Sequence, residues 1–373
     1  MALLHLVSLS LPCTTLPSKI LPKQFHKTKA SSSSSSLSIQ CTKSNNINIS
    51  TLSSPIVRRS ADFQPTVWHY DFIQSLGSKY MEESNAEKWQ VLKEEVRMML
   101  CKKKEEEEPL HQLEFIDVLQ RLGVAYHFET EIKNILENHY ININKMDKLL
   151  KEVFDRFVDE MGNFKQILSA DIKGMLSLYE ASFLEVENES ILKKAREFSI
   201  EILKEYVREM KENDFMSLLI NHALEVPLHW RMQRWEALWF INAYERSPNV
   251  IPPLLQLAKL DFNMLQAIYQ EELKHTSRWW KGIGLMENLS FARDRLVEGF
   301  VWAVGYNYMP QNAKLREVIT KVLALMTTMD DIYDVYGTLE ELELFTQAVD
   351  RAFRFSVKCQ PWFMYSRISA LVP

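Results

Sequence analysis

Apolar residues recur along this chain at three- and four-residue intervals, and no sustained alternation of the strand type interrupts them; this periodicity constrains the fold more than any other feature. Leu257, Leu260, Met264, Ile268 and Leu273 form one such stripe in a helix predicted from Leu254 to Trp280 and ended by Gly282 and Gly284. The same spacing predicts helices over 82–104, 110–137, 146–159 and 190–211, with a turn near Gly174 and helix starts at Asp171 and Ser190. Two more are predicted at Leu285–Tyr308, closed by Pro310, and Leu315–Tyr336, closed by Gly337 as a left-handed cap. Only 9 glycines occur in 373 residues, which argues against a glycine-rich nucleotide fold. The expected fold class is all-α. The aromatic stretch His229–Phe240 leads into Ser247-Pro248 and Pro252-Pro253, where prolines break the helix and mark a domain boundary, with the aromatics as interdomain packing. The charged run Lys102–Glu108, stopped by Pro109, reads as a solvated helix end.

The first 57 residues differ in kind. No Asp or Glu precedes Asp62, lysines at 19, 23, 27, 29 and 43 are spread through the segment, and Ser31–Ser36 is unbroken serine. That is transit-peptide composition, and the lack of arginine before Arg58 favours a plastid over a mitochondrion. A secretory signal would need basic residues ahead of the apolar start, and none precedes Leu3. Residues 1–57 are therefore expected to be a disordered plastid transit peptide, directing the protein to the chloroplast stroma. A net charge of −5 provides no basic field for nucleic acid. The four cysteines stand in no paired spacing and read as free thiols, and no run reaches the ~18–20 apolar residues of a membrane span. The expected partners thus include neither nucleic acid nor membrane, and the chain is expected to be a monomer or weak homo-oligomer.

Asp330 and Asp334 lie four apart, on one helix face, with Asp331 about 100° round the axis. Three carboxylates converging within one turn at the C-terminal end of an apolar helix oppose the helix dipole, and no cation between Leu323 and Met329 offsets them. Such an oxygen cluster suits magnesium, which takes one or two carboxylates and fills its other positions with water and phosphate; manganese is the alternative. Upstream, Arg293-Asp294-Arg295 places two guanidinium groups where an extended loop would aim both at one anion. Together these motifs describe a diphosphate site, and a diphosphate meant to leave. The cation left behind needs a dry aromatic pocket. Trp302 is either a ring facing that cation or a core tryptophan. Leu323, two turns before Asp330, is expected to line the pocket, where an apolar residue holds no water and points to a hydrocarbon product over an alcohol.

With Arg58-Arg59 followed after eight residues by Trp68, with Leu257–Asn263, and with Asp330-Asp331-Ile332-Tyr333-Asp334, the chain resembles the plant monoterpene synthases from about residue 58 to Arg351. The resemblance implies a helical, α/α-barrel-like N-terminal domain over 58–245 and a partial class I helical bundle, the metal-binding catalytic domain, over 246–350. It implies a carbon–oxygen lyase that ionises geranyl diphosphate, or a similar prenyl diphosphate, with magnesium and converts the cation to a monoterpene. Asp330, Asp331 and Asp334 would hold metal, Arg293 and Arg295 the departing diphosphate, and Arg58, Arg59 and Trp68 would cap the substrate. No D-x-D-D motif is present, so protonation-initiated cyclisation is not expected.

Residues 351–373 depart from that pattern. The segment from Ala352 contains no acidic residue, shows no assignable helical period, and reads as an aberrant tail on a C-terminally truncated domain lacking the family's second metal site. Impaired catalysis follows as an expectation, and an inactive splice form or a helical binding partner as the alternative. A chain-elongating prenyltransferase shares the aspartate motif but is disfavoured by Arg58-Arg59 with Trp68.

Overall fold

The computed structural model describes residues 58–101, 109–140, 158–159, 161, 164–187, 190–210 and 214–356. The transit segment 1–57, the charged run Lys102–Glu108, most of the 146–159 pattern and the tail beyond Ser356 lie outside the described residues. Regular structure among the described residues is helical, apart from one isolated antiparallel bridge between Val158 and Phe164. In chain order the α-helices are α1 (Tyr70–Ser75), α2 (Glu83–Cys101), α3 (Pro109–Arg121), α4 (Glu129–Tyr140), α5 (Ile172–Ala181), α6 (Ser190–Glu209) and α7 (Phe215–Glu225). They continue with α8 (Gln233–Tyr244), α9 (Pro252–Gly282), α10 (Leu285–Asn288), α11 (Leu296–Tyr306), α12 (Ala313–Asp331) and α13 (Leu339–Ser356). The described residues fall into two compact units, Pro65–Thr328 in one, and the segment up to Gln64 with that from Met329 in the other.

Local chemistry explains most boundaries. The pattern over 110–137 is two helices, because Gly123 at φ +74° ends α3: the Gly123 N–H bonds to Gln120 O and the Val124 N–H to Leu119 O, closing the last turn. A side chain there would also meet Ala237 Cβ at 2.8 Å. Asp171 starts α5 by accepting the Gly174 N–H at 2.9 Å. The turn expected near Gly174 is corrected: this glycine lies in the first helical turn, where a Cβ would meet the capping carboxylate at 2.4 Å. Pro252 at the start of α9 needs no N–H, and the proline joint does separate α8 from α9, though both belong to one compact unit.

Two helices predicted from periodicity end differently. Leu285–Tyr308 is broken into α10 and α11, since the chain turns after Leu289 and the Asp294 carboxylate caps α11 through the Leu296 N–H at 3.2 Å. After Asp331 the backbone widens to a π-helical turn, Ile332–Tyr336, closed by the Gly337 N–H on Ile332 O at 2.8 Å. Gly337 is extended (φ −73°, ψ 140°), which corrects the left-handed cap; glycine is needed for space, because a Cβ would meet Leu342 Cδ2 at 2.6 Å. The absence of helical period after Ala352 is corrected too, as α13 runs on to Ser356.

The larger unit contains several cores. Met175, Leu176, Tyr179, Leu203, Ile220 and Ala223 join α5, α6 and α7. Trp68 and Ile73 pack with Leu265, Tyr269 and Leu273 of α9 and Val297, Phe300 and Val304 of α11. A third packs Trp280, Leu296 and Ala324. Burying one such large side chain stabilises the fold by about 1.5–3 kcal/mol. In the aromatic stretch Phe240 and Ala237 are buried as expected, whereas Trp230 is exposed.

Candidate diphosphate and metal site

The aspartates are carried by α12, whose entry is fixed by Arg316. This guanidinium is fully buried, bonds both Glu272 oxygens at 2.8 and 2.7 Å, and donates to the carbonyls of Asn307 and Met309. A planar fork against a carboxylate resists rotation, so α12 is held against α9 at that end. Further along, Gly299 of α11 lets Leu323 approach to where a Cβ would sit at 3.4 Å from it, so Leu323 contributes to helix packing. Thr327 and Thr328 then bond back to the carbonyls of Leu323 and Ala324, a habit that bends helices, just ahead of the aspartates.

Asp330 and Asp334 are exposed, while Asp331 is 1% exposed. Among the described residues no three His, Cys, Asp or Glu side chains stand together as a metal-holding group. Between Asp331 and Asp334 the backbone widens into the π turn, and Asp331 faces inward. The donor chemistry of the outer pair still fits magnesium, which needs only one or two hard oxygen ligands from protein.

The compensating cation that α12 lacks in sequence comes from the far end of the chain. Arg58 donates to the carbonyl of Tyr336 at 3.1 Å, in the π turn, and grips both oxygens of Glu341 at 2.8 and 2.6 Å. Glu341 in turn accepts from the Thr338 N–H, and Thr338 Oγ1 from the Glu341 N–H, a reciprocal cap for α13. The Arg58 guanidinium holds the Glu341 carboxyl down to about 2. Glu341 was missed in the sequence, although Thr338-x-x-Glu341 has capping-box spacing. Arg59 is exposed. Trp68 is a core residue at 7% exposure, packed on α9 and α11, so it anchors its segment.

The Arg293-Asp294-Arg295 segment is irregular backbone, as its proposed grip on an anion requires. Arg293 and Arg295 are half-buried; Arg295 lies 3.7 Å from Glu298, and Asp294, between them, is pushed up by burial. Trp302 is 58% exposed on α11, with Tyr306 one turn on at 68%.

Asp261 of the Leu257–Asn263 stretch is a further residue whose role the sequence left unassigned. Buried at 4%, it accepts from Trp89 Nε1 at 3.0 Å and Tyr126 OH at 2.9 Å, and pairs with His127 Nε2 at 2.7 Å. Beside it the buried Arg234 stacks on Phe262 at 4.0 Å and donates to Phe262 O. Burial, and then the Asp261 charge, raise the Tyr126 hydroxyl far above the usual phenol range.

Comparison with known proteins bears on both ends of this arrangement. Residues 67–152 and 147–224 match the model of the terpene synthase N-terminal domain, and residues 281–367 that of the terpene synthase family metal binding domain. The latter match continues past Arg351, where the resemblance in sequence was expected to stop. The chain is 51% identical to the chloroplastic myrcene synthase of Quercus ilex over 84% of this chain and 55% of that protein. It is 49% identical to the chloroplastic gamma-terpinene synthase of Citrus limon over 83% of this chain and 56% of that one. It therefore spans about half the length of the curated relatives it matches. Among solved structures it resembles limonene synthase with 2-fluorolinalyl diphosphate (TM-score 0.73, 41% identity, 83% of this chain and 61% of that one). It also resembles isoprene synthase from grey poplar leaves, Populus x canescens, in complex with three Mg2+ ions and dimethylallyl-S-thiolodiphosphate (TM-score 0.66, 41% identity, 80% and 59% covered). With N-terminal and metal-binding domains both matched, in order and along most of the described residues, the chain belongs to the terpene synthase family.

Proposed function

We propose that this chain serves magnesium-dependent ionisation of geranyl diphosphate, releasing diphosphate and converting the allylic cation to a monoterpene. The observation that carries the reading is the exposed pair Asp330 and Asp334 at the end of α12, within the stretch matched by the metal binding domain. Bound there, magnesium would neutralise the diphosphate and ease cleavage of the C–O bond, the electron pair leaving with the diphosphate. Asp330, Asp331 and Asp334 would hold the metal, Asp331 from the inner side of the motif. Arg293 and Arg295 would take the charge on the departing group. Trp302, and Tyr306 beside it, would offer aromatic faces to the cation. Loss of a proton from that cation gives a hydrocarbon, the outcome the apolar Leu323 favours. Arg58 would hold the π turn behind Asp334, with Arg59 and Trp68 completing the capping segment. The domain limits 58–245 and 246–350 and a plastid location belong to the same reading; the location is supported by the chloroplastic names of the relatives.

A second reading, a helical chain that docks on a partner without turning substrate over, is supported by exposed Val318, Val322 and Met326 in one row on α12. Incubation of protein from residue 58 onward with geranyl diphosphate and magnesium, followed by analysis of volatiles, separates the two. The enzyme reading expects a monoterpene that disappears with chelator and with Asp330→Asn. No product at any magnesium concentration from a folded sample refutes it.

A further inference from the structure

Helix α12 carries apolar residues on the side it turns away from the fold. Arg316, Thr320, Ala324 and Thr328, one turn apart, are each at most 2% exposed and form its inner side. The outer side lies two residues on, about 200° round the axis, where a surface helix is ordinarily polar. Instead Leu315, Val318, Val322, Met326 and Met329 stand there, each 41–52% exposed. All lie within about 40° of Val322 round the axis, in a row about 21 Å long on one unbroken helix. The row is a palindrome. Val318 and Met326 lie four residues either side of Val322, and Leu315 and Met329 seven. Its ends carry opposite charges at equal distance, exposed Lys314 eight residues before Val322 and exposed Asp330 eight after.

Such a row matches a second copy of itself running the opposite way. A two-fold axis beside Val322 sets Val322 against the partner's Val322, Val318 level with the partner's Met326, and Lys314 level with the partner's Asp330. Antiparallel pairing also sets the positive end of each helix dipole beside the carboxylate at the other's C-terminal end. A parallel pair would set lysine on lysine and aspartate on aspartate, which repel. Lys314 now meets Glu317 of its own helix at 2.8 Å, and with the lysine 74% exposed that contact costs little to exchange. We propose that the outer face of α12 is a self-association surface that joins two copies of this chain antiparallel about Val322. The contact is small, below about 1,200 Å², so the dimer is weak, with a dissociation constant on the order of tens of micromolar.

Sedimentation equilibrium of the full chain, from about 2 to about 200 μM so as to bracket that constant, is expected to show monomer and dimer in exchange. Val322→Asp, at an exposed position where two copies of the new charge would meet, should weaken the dimer at least about tenfold with the helical circular dichroism unchanged. Val91→Asp, at an exposed position on α2, is the control and should leave association as it was. Lys314→Glu and Asp330→Lys should each weaken the dimer about threefold, and together restore it, because the exchanged charges meet again. Direction is read by cross-linking in a chain whose native cysteines are replaced by serine. Val318→Cys mixed with Met326→Cys should oxidise to the mixed disulfide in preference to either variant joining itself. A monomer throughout, a dimer insensitive to Val322→Asp, or preferential joining of Val318→Cys to itself overturns the proposal and leaves this face to a different partner. Neither metal nor turnover enters, so failure here is distinct from failure of the proposed reaction.

Discussion

Replacing Asp261 by asparagine removes a single charge and changes the shape of the side chain very little. The carboxylate is 4% exposed and serves three groups from distant parts of the chain: Trp89, Tyr126 and His127, at 3.0, 2.9 and 2.7 Å. Asparagine keeps one acceptor oxygen and turns an NH2 toward donors, so at least one buried donor is orphaned, at about 1–3 kcal/mol. The bonds that survive lose their charge assistance, about another 1 kcal/mol. The sum is about 2–4 kcal/mol out of the roughly 5–15 that such domains possess. In urea, followed by circular dichroism at helical wavelengths, a slope of about 3 kcal/mol/M converts this to a midpoint lowered by about 1 M. Adding Trp89→Phe to the asparagine variant should cost less than adding it to the parent, because both act on one network. A midpoint shift below about 0.3 M, or strict additivity, would refute the view that Asp261 welds α9 to α2 and the turn at His127.

Three further outcomes are expected. Gly123→Ala should destabilise by about 1–3 kcal/mol in the same assay, since the backbone is at φ +74° and the new methyl meets Ala237 Cβ at 2.8 Å. The Glu341 carboxyl, titrated by carbon NMR, should show a midpoint near the value of about 2. Because that value is depressed, the contribution of the Arg58 contact is present above the ordinary carboxylate range near pH 4.5 and lost as pH falls towards about 2; Arg58→Gln should return the midpoint upward. Asp330→Asn and Asp334→Asn, at exposed positions, should leave stability within about 0.5 kcal/mol while reducing magnesium affinity measured by calorimetry.

Helices were legible wherever a stripe of apolar residues ran long. Leu257, Leu260 and Leu273 are buried on α9 as their spacing requires, and α2 and α6 fall within a few residues of the predicted spans. Asp171 was readable as a helix start because capping is a contact between near neighbours in sequence. The identity of the motif residues was equally local: two aspartates four apart, two arginines two apart, and a tryptophan separated from Arg59 by eight intervening residues.

What the sequence by itself determined about this protein is therefore its class, its helices and the kinds of side chain available for diphosphate chemistry, all of which depend on interactions within a turn or two. Only the tertiary structure decided that Asp331 turns inward while Asp330 and Asp334 stay in solvent, that Arg58 answers the end of the aspartate helix, and that Asp261 accepts from three distant groups. Periodicity specifies which residues share a face. Which cation, acceptor or cavity meets that face is set by packing between segments far apart in the chain, and spacing along the sequence carries no record of it.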